Sequence, residues 1–392
     1  MRGGKEVLVS VIMPIYNAEE FLRETLDTVI NQTLRELEII CVDDGSSDNT
    51  QDILGEYASA DERISILKQQ NQYAGVARNN GLARATGKYV IFWDADDLFE
   101  LDALEKMYNR AEEDEADICV CGANQLDSET NEVIKRGVYL ITKWIPEETP
   151  FSKVEAGDYI FNFAANVPWN KMYLRQFVND NNLQFQELKQ VNDAYFVMMA
   201  MYLAKKITYV NQALVTYRIN NDRSLTGKAS DTAFCLYDAY VKTLDTLMKD
   251  EVFKQDKYGT RHSFDKRSIA GFCLSLYSQR DFMTFKKLYE MLKMQGLGKF
   301  GLLDKSEEYF HNKKHYEDLQ KILKLEPEQF LFCNLREAKY ELLITKSRTA
   351  SRNKEQTKII KEQQVILDSL AVRTALKAKK ILTFNERLRY KK

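Results

Sequence analysis

Two acidic runs, Asp43-Asp44 and Asp94-Ala95-Asp96-Asp97, each follow directly on an apolar stretch, which puts them at the mouths of buried strands. Carboxylates crowded in a partly dry crevice raise one another's pKa unless a cation neutralises them. Oxygen-only ligands suit a hard cation such as Mg2+ or Mn2+, which commonly binds through one or two carboxylates plus substrate phosphates. The competing account is a solvated loop in which Asp97 caps the helix that follows. Pro14 ends the first apolar stretch, and Asp193 could be the N-cap of the apolar run Ala194 to Leu203.

The elements that must position these groups can be read from periodicity. Val7 to Met13 reads as a strand buried on both faces, and Leu22, Leu26, Val29 and Ile30 then recur at helical spacing. Glu38 to Val42 is a second strand, Ser47 or Asp48 caps a helix, and Ile64 to Leu67 is a third strand. A helix from Gly75 to Ala85 precedes the strand Tyr89 to Trp93. Alternation of strands and helices predicts an α/β fold with a doubly wound, mostly parallel, Rossmann-like sheet. In such sheets the ligand crevice lies beyond the carboxyl ends of the strands, where both acidic runs fall. The apolar run Asp117 to Ala123 follows a helix around Leu101 to Glu112, and irregular polar sequence extends to about Pro150. Beyond Ser224 the pattern is helical, in keeping with only five prolines in the chain.

At 392 residues the chain has room for two or three domains. A formal net charge of −2 argues against a nucleic-acid binder, which would need uncompensated basic surface. Six scattered cysteines are too sparse for a disulfide scaffold and read as reduced thiols in a cytosol. No stretch of about 18 apolar residues predicts a membrane span. The expectation is a cytoplasmic protein, soluble or peripheral at the inner face of the plasma membrane.

Four stretches carry a more specific signal: Val9 to Asn17, Val42-Asp43-Asp44-Gly45-Ser46-Ser47-Asp48, Ala77-Arg78-Asn79-Asn80-Gly81 with Ala85 to Tyr89, and Trp93 to Asp97. In order, spacing and strand-end context they resemble the inverting glycosyltransferases of family 2, which have the GT-A fold. The resemblance implies an enzyme that moves a hexosyl unit from a UDP-sugar to an acceptor hydroxyl, with Mn2+ or Mg2+ as cofactor. It places Pro14, Tyr16, Asn17, Asp43, Asp44, Arg78, Asp94 and Ala95 around the nucleotide. Tyr16 would stack on uracil, Asp44 would accept its N3–H, and Arg78 would meet the nucleotide or diphosphate. The metal falls to Asp94 and Asp96, with Asp97 divided between metal and cap.

Pro168 to Tyr173 resembles the family's Asn-Lys-Leu-Tyr stretch, which puts Trp169, Asn170 and Lys171 on the acceptor side. Val191-Asn192-Asp193 resembles the segment ending in Glu-Asp, with Asn192 where glutamate is usual. Inverting transfer needs one base to take the acceptor proton, and the retained Asp193 is the candidate. Tyr217-Arg218, followed by Ser224 to Thr226, resembles the end of the same region, with Arg218 or Arg223 reaching the diphosphate.

The expected domains are a GT-A domain over 1–226, with a nucleotide-sugar half (1–115) and an acceptor half (116–226), a helical domain over 227–345, and a basic amphipathic tail over 346–392. That tail, with Arg373, Lys377, Lys379 and Lys380 among Leu376, Ile381 and Leu382, has the composition of a helix lying on an anionic membrane or packing on the protein or a second copy, as in a homodimer. The expected partners are a UDP-sugar and a glycan, lipid-linked or protein-linked acceptor, in bacterial surface polysaccharide or glycoprotein glycan assembly. Two rivals remain open: a catalytically idle sugar-binding or scaffold protein on the same fold, and a nucleotidyltransferase. The latter would ordinarily carry a glycine-rich basic loop where this chain has Pro14-Ile15-Tyr16-Asn17.

Overall fold

The computed structural model describes residues 6–220, 234–279, 281–310 and 312–349, with side chains as far as residue 340. Arg223, the stretch Ser224 to Thr226 and the basic tail beyond 349 lie outside the described residues. Among the described residues nine strands share one sheet: β1 (Val9–Ile15), β2 (Leu37–Asp43), β3 (Ile64–Lys68), β4 (Tyr89–Phe92), β5 (Leu98–Phe99), β6 (Ile118–Asp127), β7 (Glu132–Lys135), β8 (Lys171–Leu174) and β9 (Ile207–Ile219). Their order is β3-β2-β1-β4-β8-β6-β9-β5, with β7 paired to β6.

The centre of the sheet is covered on both sides. Val9, Val11 and Met13 of β1 join Leu22, Leu26 and Val29 of α1 (Leu22–Ile30) in one buried cluster. Alternate residues face the other way, where α3 (Tyr73–Leu82) lies so close that a Cβ on Gly81 would stand 2.4 Å from Ile12 Cγ2. Burying each such aliphatic side chain is worth about 1.5–3 kcal/mol, so these two helices fix the middle of the sheet.

Register then aligns the strand ends. In the parallel ladders Ile15 lies opposite Asp43, and Ile12 opposite Phe92. The Asp44 N–H donates to Ile15 O at 2.8 Å and the Trp93 N–H to Ile12 O at 3.0 Å. Tyr16, Asp44 and Asp94 therefore leave the sheet along one edge. The parallel pattern holds from β3 to β4; beyond it β8 runs antiparallel to both neighbours and β5 antiparallel to β9, while β6 and β9 are parallel. The polar stretch before Pro150 contains β7, a strand left largely in solvent, with Val133 58% exposed. An exposed strand shows no apolar alternation, which hides it from a periodicity argument.

The remaining helices of the first half are α2 (Thr50–Ala60), α4 (Ala103–Glu113), α5 (Lys153–Ala156), α6 (Arg175–Asp180) and α7 (Ala194–Leu203). Two compact units emerge: the sheet-bearing residues to 220 together with Cys235–Arg267, and the residues from Ser268 onward. The expected boundary near 226 thus differs from the contact division, because α7 is buried nearly all round and needs a cover. That cover is α8 (Cys235–Leu247), whose Tyr240 and Leu244 are buried, followed by α9 (Glu251–Lys254) and the start of α10 (Thr260–Ser278). The Tyr202 hydroxyl of α7 donates to Asp250 at 2.7 Å. In the second unit α11 (Phe282–Met291), α12 (Leu297–Lys299), α13 (Lys313–Lys324) and α14 (Pro327–Thr349) follow the rest of α10. Phe285, Leu288, Tyr289, Leu319, Ile322 and Phe330 are buried there. No helix among the described residues is long and apolar enough to cross a membrane.

Candidate active site

At the end of β1 the chain turns through Asn17, whose φ of 48° is a left-handed conformation that asparagine tolerates. The Asn17 N–H donates to Ser46 Oγ at 3.0 Å, and its Oδ1 accepts from the Ser47 N–H at 2.8 Å. Asp43 Oδ1 accepts from the Ser46 N–H at 3.0 Å, while its buried Oδ2 has no hydrogen-bond partner among the described residues. Asn17 and Asp43 thus shape the loop between two strand ends. Asp44 Oδ1 is aimed by Gln72 N–H at 2.8 Å and Gln69 Nε2 at 2.7 Å. Pro14 is the sixth residue of β1, so the strand runs on to Ile15 rather than stopping at the proline. Tyr16 is 52% exposed, so core packing does not account for it; its ring is open to a flat ligand.

Arg78, in the middle of α3, is only 5% exposed. One arm donates to Asp94 Oδ1 at 2.6 Å and the other to Asn192 Oδ1 at 2.8 Å, and the guanidinium carbon lies 5.4 Å from the Phe185 ring centroid. A surface salt bridge is therefore not its role. The helix can approach this closely because residue 75 is glycine: a Cβ there would stand 2.2 Å from Gln186 O and 2.9 Å from Asn192 Cβ. Gly75→Ala should cost about 1–3 kcal/mol of stability by overpacking against backbone; an unchanged urea midpoint would refute that close fit.

The second acidic run divides by burial. Asp94 and Asp96 are partly exposed, whereas Asp97 is fully buried. Asp97 does not cap a helix: α4 begins six residues later behind Asp102, and Asp97 Oδ1 instead accepts from the Arg218 backbone N–H at 2.9 Å. Its Oδ2 is buried without a hydrogen-bond partner among the described residues, and burial, then Asp96 and Asp94, push its pKa well above the usual carboxylate range. The Ala95 carbonyl accepts from Thr25 Oγ1 at 3.0 Å, tying the run to α1. Arg218 supports the same loop: its Nε donates to Asp96 O at 2.9 Å, a terminal nitrogen meets Glu24 at 2.8 Å, and it lies over Phe21. The structure accordingly puts Arg218 among the loop's supports.

An oxygen-only donor set suits a hard dication. Among the described residues no group of three or more His, Cys, Asp and Glu is preassembled for a metal. Asp94 and Asp96 are the two partly exposed carboxylates of the run, so the residues fit a cation that shares its coordination with a bound diphosphate rather than one caged by protein alone.

Asp193 occupies the N-cap position of α7, yet its side chain makes no cap hydrogen bond. Burial raises its carboxyl pKa, opposed by Arg78 and reinforced by Asp94. An upward shift makes a carboxylate a stronger base, which suits a group that takes a proton. Its sequence neighbour Asn192 meets Arg78, so α3, the 185–193 segment and the end of β4 converge.

All three acceptor-side residues are buried. Asn170 Nδ2 donates to Cys121 O at 2.8 Å and Tyr139 O at 3.1 Å. Lys171 Nζ donates to Ala165 O, Val167 O and Asn170 Oδ1, at 2.7, 2.8 and 2.8 Å, and burial pushes its pKa down to about 7. Both are fully buried, so the structure corrects the acceptor-facing expectation for them: they brace the 165–170 loop from beneath. Trp169 is also nearly buried, stacked on Tyr217 with centroids 5.5 Å apart and packed on Tyr139 at 5.1 Å. Sequence reasoning gave Tyr139 no role, since its strip lacks any periodic or motif signal. Tyr217, whose pKa is raised by burial and by Asp97, Asp96 and Asp94, brings this aromatic cluster to the acidic run.

Residues 10–180 match the family model described as Glycosyl transferase family 2. The chain is 31% identical over 287 residues to a cholesterol galactosyltransferase of Borreliella burgdorferi, covering 72% of this chain and 75% of that protein. It is 29% identical over 205 residues to a poly(ribitol-phosphate) beta-glucosyltransferase of Bacillus spizizenii, covering 51% of this chain and 30% of that one. Among solved structures, S. aureus TarS 1-349 in complex with UDP-GlcNAc aligns with a TM-score of 0.50 at 18% identity, over 80% of this chain and 92% of that one. That likeness is one of fold.

Proposed function

The chain belongs to glycosyl transferase family 2, and from that premise we propose that it transfers a hexosyl unit from a UDP-sugar to an acceptor hydroxyl with inversion. The observation that carries this reading is the convergence of the exposed Tyr16, the aimed Asp44, the buried Arg78 and the partly exposed Asp94 beside one sheet edge, with Asp193 near enough to Arg78 and Asp94 for both charges to act on its carboxyl. Tyr16 stacks on the base, and Asp44 accepts from the N3–H, which selects uracil over cytosine, whose N3 is an acceptor. Asp94 and Asp96 would hold a divalent cation with the diphosphate. That cation, when bound, neutralises charge growing on the departing nucleotide. Arg78 adds a guanidinium to the same end of the donor. Asp193 takes the proton from the acceptor hydroxyl as it attacks the anomeric carbon from the face opposite the leaving group.

The acceptor belongs to a bacterial surface polysaccharide or glycoprotein glycan in this reading. A relative named for a ribitol-phosphate polymer supports the former. The test is release of nucleoside diphosphate from UDP-, GDP- and dTDP-sugars with and without Mn2+. Metal-dependent release from a UDP-sugar is expected; no release from any of the three would favour a catalytically idle protein on this fold. Stacking on an aromatic ring is worth about 1–3 kcal/mol per base, so Tyr16→Ala should weaken UDP and uridine binding alike by roughly tenfold in calorimetry. Equal affinity in both proteins would remove Tyr16 from the base site.

A further inference from the structure

Among the described residues of the sheet-bearing unit, two aromatic side chains are exposed: Tyr16 at 52% and Tyr73 at 40%. Both border Asp44. Tyr16 follows Ile15, whose carbonyl accepts from the Asp44 N–H at 2.8 Å, and Tyr73 follows Gln72, whose N–H donates to Asp44 Oδ1 at 2.8 Å. The strip before Tyr73 also rests on the residue after Asp44, since a Cβ on Gly45 would stand 3.1 Å from Asn71 N and 3.3 Å from Gln69 O. Two separate turns thus bring one tyrosine each to the same carboxylate.

Tyr73 opens α3 with a φ of 68°, in the left-handed region. Glycine adopts that conformation freely and asparagine tolerates it, whereas a bulky side chain there is an outlier that opposes folding. Among the described residues its ring meets no other aromatic ring, and its hydroxyl has no hydrogen-bond partner. Residues held in such conformations cluster at ligand clamps, where the strain serves binding rather than folding. A pyrimidine has a polar edge and two faces suited to stacking on aromatic rings. One carboxylate with an exposed ring to either side of it in the chain path suits that shape.

Resting on the donor-site reading above, we propose that Tyr73 is a second base-contacting residue: with Tyr16 it clasps the two faces of the donor's uracil while Asp44 meets the edge. The ring makes the contact and the hydroxyl does not. Stacking takes any base, so the two tyrosines supply affinity and the choice of base stays with Asp44. The diphosphate end of the donor, at Asp94 and Arg78, is left alone.

The experiment measures UDP and uridine binding by calorimetry on the full chain, with thermal melts, in wild type, Tyr73→Gly and Tyr73→Phe. Stacking on a ring predicts that Tyr73→Gly loses about tenfold in affinity for both ligands, while Tyr73→Phe stays within about twofold. Because glycine fits the backbone at residue 73, Tyr73→Gly should melt no lower than wild type. Should it give no cooperative melt, Tyr73→Asn also tolerates the left-handed backbone and carries the same expectation. A loss for UDP without an equal loss for uridine, a loss in Tyr73→Phe as large as in Tyr73→Gly, or a loss that comes with a lower melting temperature overturns the clasp. Unchanged affinity in Tyr73→Gly beside weakened binding in Tyr16→Ala overturns it too and leaves the donor site standing. Wild-type protein that binds neither UDP nor uridine overturns the donor-site reading and this inference with it.

Discussion

Asp193→Asn should lower the rate of sugar transfer by about 10²–10⁴-fold, the contribution typical of a positioned general base, while UDP affinity stays within about twofold. The substitution preserves shape. It removes no helix cap, since the Asp193 side chain makes no cap hydrogen bond to α7. It also removes a charge that its surroundings disfavour, because burial holds the carboxyl pKa above the ordinary value. A raised native pKa means that ionising the group opposes folding once the pH exceeds the unfolded value. The neutral variant should therefore melt no lower than wild type at neutral pH. The same shift sets the pH profile. A base must be ionised, so kcat/KM should fall on the acid side through a pKa above the value of about 4 for a free carboxylate. A rate within threefold of wild type, or an acid limb at the free-carboxylate value, would show that another group takes the proton.

The strand-end logic was legible because buried parallel strands are nearly continuous apolar runs, and register then places Tyr16, Asp44 and Asp94 on one edge. What the residue types alone left undivided was burial. Asp94, Asp96 and Asp97 look alike in the sequence, yet only the fold shows that Asp97 is spent on the Arg218 backbone while the other two remain partly open. Asn170 and Lys171 misled for the complementary reason. A lysine in a motif reads as a charge offered to a ligand, but three carbonyl-type oxygens satisfy all three of its donors inside the protein. The antiparallel insertion of β8 beside β4 had no local signal, because pairing direction is a property of the chain's long-range path. Likewise Cys235–Arg267 reads as helix, and only the need to enclose the apolar α7 explains why it sides with the sheet.

Asp94→Ala should destabilise the protein by about 3 kcal/mol, at the low end of the cost of leaving one member of a buried ion pair behind, and should also abolish the Mn2+-dependent part of UDP affinity. The side chain of Arg78 is 6% exposed and that of Asp94 28% exposed, so the cost falls mainly on the stranded guanidinium. Asn192 and the Phe185 ring would remain to it, and neither carries charge. Asp94→Asn offers an oxygen at the same place and should recover part of the stability but not the metal dependence, since a neutral amide is a poor partner for a dication. The two readouts separate two duties of one carboxylate: urea unfolding reports the pair with Arg78, and calorimetry with and without Mn2+ reports the donor site. An unchanged unfolding midpoint in Asp94→Ala would mean the ion pair contributes nothing. Mn2+ dependence kept in both variants would place the cation elsewhere. Because Arg78 already occupies one oxygen of Asp94, and no cluster of three ligands is preassembled among the described residues, Mn2+ should bind far more tightly with UDP present than alone.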